Sequence, residues 1–153
     1  MNLRKVEFEN NSKIKMIEKD SFRDSSLECF SVHRHVTMIG NGAFSFCNSL
    51  KRIDFTSNSE LNIIDHSAFY YSSVESFFIP SKVSKIGQYV FISCKKLKII
   101  EVSENFQLKT INKSIFNSSS IQLIMIPANL AGFLTLSYEI KIIKINHIMS
   151  ALS

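Results

Sequence analysis

Residues 83–102 read V-S-K-I-G-Q-Y-V-F-I-S-C-K-K-L-K-I-I-E-V, and this stretch decides the fold of the chain. Two apolar residues three positions apart are followed by a glycine, then by Phe91, and then by Cys94 three residues later. The stretch ends in an L-x-x-I-x-V hexad that begins at Leu97. The same signal recurs at the same offsets along most of the 153 residues. Because fixed self-similarity of this kind is the signature of repeat proteins, the chain is predicted to be a stack of repeated units.

A phenylalanine anchors each copy of the repeat, and the steps between anchors alternate between 22 and 25 residues. The five anchors are Phe22, Phe44, Phe69, Phe91 and Phe116. A serine or cysteine follows each anchor after three positions. The common register predicts that the five rings stack into a buried ladder, in which truncation of one ring to alanine costs about 3–5 kcal/mol.

Each copy continues into a hexad with apolar, often β-branched residues at its inward positions, which predicts a short strand. These hexads begin at Leu3, Leu27, Leu50, Val74, Leu97 and Ile121. A seventh, shortened strand is predicted at residues 140–145, with Ile143 in the place of Ile124. One unit cannot bury its own apolar face, so successive strands are expected to lie side by side in a parallel sheet.

Proline and glycine mark the turns between the strands. Pro80 and Pro127 follow the third inward residue, where the missing N–H would end a strand. Gly40 and Gly87 lie at a tight bend that is expected to leave no room for a side chain. The chain is therefore predicted to be one domain over residues 1–153, with about six to seven repeats that are clear over 3–127 and degenerate over 128–153.

Composition fits a folded domain and offers no catalytic signal. Hydrophobic residues make up 45% of the chain and charged residues 20%, which is enough to bury a core. The net charge of +5 comes from lysines interspersed with acidic residues, so no nucleic-acid partner is expected. No stretch reaches the ~18 apolar residues of a membrane span, and the first residues lack the apolar block of a signal peptide. No triad or carboxylate pair lies in a recognised motif, so neither an enzyme nor a cofactor is expected.

Cysteine and histidine are the remaining candidates for redox or metal chemistry. Cys47 and Cys94 occupy the same repeat position two copies apart, too far for a disulfide, which needs Cα atoms within ~7 Å. They are predicted to be small buried packing residues. His33 and His35, with Cys29 nearby, could suggest a metal site, but no fourth ligand is spaced to complete it, and a solvated turn is the preferred interpretation.

The repeat resembles the BspA-type leucine-rich repeat, also called the Treponema pallidum type, whose usual form is I-G-x-x-A-F-x-x-C-x-x-L-x-x-I-x-I-P. Residues 36–55 match this form closely, at Ile39, Gly40, Phe44 and Cys47 among others, and residues 83–102 match nearly as well. The resemblance implies a leucine-rich repeat solenoid with a curved parallel sheet on the concave face and short turns or 3-10 segments on the convex face. It also implies a non-enzymatic adhesin-like binding protein at the cell surface or outside the cell.

The outward positions of the predicted strands form two columns on the concave face. The first column is Lys5, Cys29, Arg52, Ser76, Ile99, Leu123 and Ile142. The second column is Glu7, Ser31, Asp54, Phe78, Glu101, Met125 and Lys144. Both columns change from charged to apolar along the stack, and an exposed apolar cluster rimmed by charges usually marks a contact surface.

These columns predict a partner-binding site. Its residues are Phe78, Ile99, Leu123 and Met125, with Arg52, Asp54 and Glu101 as the charged rim. Alternatively, the tail covers the apolar residues, or the sheet merely tolerates them. The resemblance implies a protein partner, such as a host extracellular or surface protein. An intracellular, cytoplasmic scaffold and a fragment of a longer surface protein are the alternatives. The uncapped first strand at Leu3 also predicts self-association through an exposed edge.

Overall fold

The computed structural model describes residues 3–108, 113–128 and 141–145. Over these ranges the chain forms a parallel β-solenoid with a single 3-10 helix at Lys113–Phe116. In chain order the described strands are β1 (Met16–Ile17), β2 (Cys29–Val32), β3 (Met38–Ile39), β4 (Arg52–Phe55), β5 (Ile63–Ile64), β6 (Ser76–Ile79), β7 (Lys85–Ile86), β8 (Ile99–Val102), β9 (Leu123–Pro127) and β10 (Lys141–Ile145). The predicted parallel arrangement of the repeats is confirmed.

Two kinds of strand line the solenoid. The longer strands, which come from the hexads, form a two-stranded sheet of β2 and β4 and a four-stranded sheet in the order β6, β8, β9, β10. The two-residue strands β1, β3, β5 and β7 form a separate parallel sheet that the sequence did not predict. Outward residues of the longer strands make up the concave face.

The predicted phenylalanine ladder forms the centre of the core. Phe44, Phe69 and Phe91 are fully buried, Phe116 is nearly so, and Phe22 is partly buried at the first rung. Successive rings stack with centroids 5.3, 5.3, 5.6 and 6.0 Å apart and interplanar angles of 17°, 1°, 10° and 10°. The aromatic contacts therefore tie each unit to its neighbour along the stack.

The glycines of the repeat are explained by the neighbouring unit. A Cβ atom on Gly40 would lie 2.8 Å from the carbonyl oxygen of Ile17, and one on Gly87 would lie 2.5 Å from the backbone nitrogen of His66. Both glycines follow a 22-residue step, whereas the equivalent residue after a 25-residue step is Asp65. The expectation that a side chain is unwelcome is confirmed, and the cause is close approach of another backbone.

The first predicted strand, in the hexad that begins at Leu3, is wrong. Residues 3–8 form no strand, and no described strand pairs with the outer edge of β2. The segment still packs on the core, since Phe8 meets Phe30 edge-on with ring centroids 5.7 Å apart. A first unit has a neighbour on one side only, and apolar packing alone does not fix a backbone in register.

The last predicted strand exists, but its register differs by one residue. In β10, Ile142 pairs with Ile124 and Ile143 pairs with Met125. The predicted pairing of Ile143 with Ile124 is therefore wrong, and Lys141 and Ile143 continue the two outward columns in place of Ile142 and Lys144. Two adjacent isoleucines interrupt the alternation here, so the pattern supports two registers one residue apart.

Candidate functional site

Four apolar side chains lie together on the concave face, and we name them the apolar patch: Phe78, Ile99, Leu123 and Met125. The register of the sheet places Ile99 beside Leu123 and places Glu101 between Phe78 and Met125. Phe78 and Ile99 are 37% and 38% exposed, and the other two are half-buried. The structure thus brings five of the seven predicted site residues onto three adjacent strands, β6, β8 and β9.

The other two predicted site residues, Arg52 and Asp54, lie on β4, outside this sheet. The Nε atom of Arg52 donates a hydrogen bond to Oδ2 of Asp54 over 3.1 Å, and this bond raises the pKa of Arg52. Lys5 and Glu7 form an equivalent ion pair one unit earlier. Charges in this half of the concave face therefore neutralise one another along their own segments.

A break in the hydrogen bonding separates the two halves. The N–H of Glu75 donates to the carbonyl of Lys51 over 2.9 Å, yet β4 and β6 belong to different sheets. Beneath the break, Phe55 packs edge-on against Phe77 with centroids 5.6 Å apart. A cavity of about 400 Å³ opens there, lined by Phe78, Phe55, Pro80 and the serines of the adjoining turns. The apolar patch therefore has a recess at its β4 edge.

A larger cavity of about 720 Å³ lies at the opposite end of the concave face. Residues 5–8 and 31–34 line it, together with Asn10, Cys29 and Thr56. The sequence could not predict this cavity, because it arises where the first segment lies beside β2 without pairing to it. Its walls mix charged, polar and apolar groups, so its shape singles out no ligand class.

The histidine turn makes contacts within the protein. The Nε2 atom of His35 accepts a hydrogen bond from Nε of Arg34 over 3.1 Å, and its Nδ1 atom lies 3.2 Å from Oε1 of Glu60. The neighbouring His35 lowers the pKa of Glu60. Within residues 3–108 and 113–128, no three His, Cys, Asp or Glu side chains gather as metal ligands. This turn therefore links two adjacent loops through Glu60.

Cys47 and Cys94 are buried packing residues, as predicted. Each thiol donates to the carbonyl of the anchor phenylalanine one repeat earlier, Cys47 to Phe22 and Cys94 to Phe69, both over 3.0 Å. Burial raises the pKa of both thiols, that of Cys94 to about 11. These contacts explain why a small group with a hydrogen-bond donor recurs at this position.

An exposed aromatic cluster on the turns was missed by the sequence reasoning. Phe46 and Tyr71 stack with centroids 5.6 Å apart, Tyr70 meets both rings edge-on, and the Arg23 guanidinium lies 4.9 Å from the centre of Phe46. Phe46 and Tyr71 have φ angles of 60° and 56°, in the left-handed region that bulky residues rarely adopt. Other copies place aspartate or serine at this position, so an aromatic residue two places after the anchor was the available signal.

Comparison with known proteins identifies the repeat. The family model described as the BspA type leucine rich repeat region matches residues 15–141 in six copies. No curated protein sequence matches the chain. In the described part of the chain, no helix has the length and hydrophobicity needed to cross a membrane.

Three solved structures resemble the fold. The pneumococcal vaccine antigen PcpA superposes with a TM-score of 0.66 at 23% identity, over 88% of this chain and 40% of that protein. The T. pallidum leucine rich repeat protein gives a TM-score of 0.63 at 24% identity, over 78% of this chain and 56% of that protein. A leucine rich cell surface protein from Faecalibacterium prausnitzii A2-165 gives 0.55 at 17% identity, over 84% and 44%. The chain thus spans between 40% and 56% of these proteins, and the likeness shows a shared fold.

Proposed function

Because the chain belongs to the BspA-type leucine-rich repeat family, we propose that it is a non-enzymatic protein-interaction module that binds a protein partner through the apolar patch. The exposure of Phe78 and Ile99 on a hydrogen-bonded sheet carries this proposal. A sheet that is paired on both sides of β8 holds these side chains in place, so little conformational entropy is lost when a partner covers them. Covering them removes apolar surface from water, which favours association.

We further propose that the protein acts at a cell surface, as an adhesin-like binder. The support is by analogy, since one structural neighbour is a vaccine antigen and another is described as a cell surface protein. An intracellular scaffold that uses the same face, or a segment of a longer surface protein, is the alternative. Antibody labelling of intact and permeabilised cells distinguishes a surface protein, stained in both, from an internal one, stained only after permeabilisation.

The free outer edge of β2 supports a second mode of binding, self-association by strand pairing. No described strand covers this edge, and unpaired strand edges offer backbone groups to other chains. Light scattering over a range of concentrations tests this mode. A monomer at every concentration would exclude it without touching the proposal for the apolar patch.

The apolar patch is tested by two substitutions, Phe78→Ser and Leu123→Ser, in the full chain. Each is expected to weaken partner binding about tenfold or more, as loss of an interface anchor does. The matched control is Tyr71→Ser, which removes an exposed aromatic residue from the turns. Binding of a captured partner is measured for each variant whose circular dichroism and melting temperature match the wild type. Equal binding by folded patch variants and the wild type overturns the proposal.

A further inference from the structure

A single carboxylate lies within the apolar patch. Glu101 is exposed on β8, and its direct neighbours on the adjacent strands are Phe78 and Met125. Ile99 precedes it by two residues and therefore shares its face of the strand. Three of the four members of the apolar patch thus surround this side chain. Among the residues that the structure describes, none forms an ion pair or a hydrogen bond with the Glu101 carboxylate.

The other charges on the described concave face are paired. Arg52 bonds to Asp54, and Lys5 pairs with Glu7. The nearest lysine on the same strand run, Lys98, precedes Glu101 by three residues, which is about 10 Å along an extended chain. Glu101 is therefore the one charge on the described part of this face whose counter-charge must come from outside.

Covering the apolar patch would take water away from Glu101 as well. An unpaired carboxylate is strongly disfavoured in an apolar interface, whereas one that meets a cation or several N–H donors is tolerated. A wholly apolar partner would therefore be penalised by the very contact that covers Phe78 and Met125. A second copy of the same patch would be penalised too, since two Glu101 carboxylates would be brought close together.

We propose that the partner is a protein segment that presents apolar side chains around one lysine or arginine, and that Glu101 pairs with this basic residue. This inference rests on the proposed function of the apolar patch and states the chemistry of its partner. Glu101 then supplies specificity, because it rejects partners that lack a cation as well as favouring those that carry one.

The test uses a displayed library of random peptides as the probe. Peptides are selected on the wild-type chain and removed if they also bind the Phe78→Ser or Leu123→Ser variant. The peptides that remain are expected to carry a lysine or arginine among apolar residues. For one such peptide, Glu101→Gln should weaken binding about tenfold or more, a loss typical of a close charge pair.

Charge reversal sharpens the test. Selection on Glu101→Lys should yield peptides with aspartate or glutamate in the same setting, and exchanging the peptide lysine for glutamate should restore binding to this variant. The matched control is Glu18→Lys, which makes the same change in net charge at an exposed site after β1 and should leave binding unchanged. The neutral Glu101→Gln variant keeps the test valid if Glu101→Lys does not fold.

Three results would overturn the inference. Patch-dependent peptides without basic residues, or with unchanged affinity for Glu101→Gln, overturn it while the proposed function stands. An equal loss with Glu18→Lys also overturns it, because the peptides would then respond to net charge alone. If no peptide depends on Phe78 or Leu123, the proposed function and the inference both fall.

Discussion

The two halves of the concave face share one core and present opposite surfaces. On β2 and β4 the outward residues are polar or charged, and Arg52 is neutralised by Asp54. On β6, β8 and β9 the outward residues form the apolar patch around Glu101. Since outward side chains do not enter the ladder, they are free to differ between units. The difference teaches that the information about a partner lies in the residues that interrupt the repeat.

Beneath the surface the two halves match closely. Phe44 in the first half and Phe91 in the second are both fully buried and stack on their neighbours. The thiols of Cys47 and Cys94 make the same 3.0 Å contact to a phenylalanine carbonyl. If the halves differ only in their surfaces, changes in the core should have equal effects and changes on the surface unequal ones.

The largest effect is expected from the core. Phe44→Ala and Phe91→Ala should each lower the free energy of unfolding by about 3–5 kcal/mol, because each removes a fully buried ring and leaves a cavity. Urea unfolding followed by circular dichroism measures both. Phe78→Ala is the control, with an expected cost below about 1 kcal/mol for an exposed residue. A full cost for one rung and a small cost for the other would show that the two halves differ in their cores too.

Much of this architecture could be predicted because the repeat states it several times. Five phenylalanines in register predicted the ladder, and hexads at fixed offsets placed Phe78, Ile99, Leu123 and Met125 on one face. Where a signal occurs once or is ambiguous, prediction failed. Residues 3–8 have only one neighbour, and the adjacent isoleucines in residues 140–145 allow two registers.

Other features could not be predicted because they depend on the arrangement of several units. The two-residue strand Met38–Ile39 is too short to show a periodicity, and it exists only because β1 and β5 pair with it. The break between β4 and β6 and the recess beside Phe78 likewise have no local signal. Hence the apolar patch was predictable, whereas its separation from Arg52 and Asp54 was not.

An intermediate effect is expected from the buried thiols at alkaline pH. The pKa of Cys94 is about 11 in the folded chain, above an ordinary thiol value of 9.0, because burial disfavours the thiolate. Its contribution to stability is therefore complete below about pH 9 and is lost as the pH rises toward 11, because the unfolded chain ionises first. The loss should reach about 2 kcal/mol.

The measurement for this prediction is the free energy of unfolding of the wild type and of Cys94→Ser between pH 7 and about pH 11. Serine is a suitable replacement because Ser25, Ser72 and Ser119 hold the same position in other copies. Lysines and tyrosines titrate in both proteins, so their contribution cancels in the comparison. The wild type should lose more stability than the variant, and parallel curves would contradict the assignment. Cys47→Ser should behave in the same direction, since burial raises the pKa of Cys47 as well.

The smallest effect is expected at Arg52, and it separates the two halves most sharply. Arg52→Gln should leave the urea midpoint unchanged, because an exposed ion pair contributes little once the entropy of holding two side chains and the screening by salt are counted. It should also leave partner affinity unchanged, since β4 lies outside the sheet that carries the apolar patch. Glu101→Gln makes a similar polar change on β8 and should weaken binding, because its carboxylate has no partner within the described chain. If both variants weakened binding equally, the partner would have to cross the break between β4 and β6, and the two halves of the concave face would act as one site.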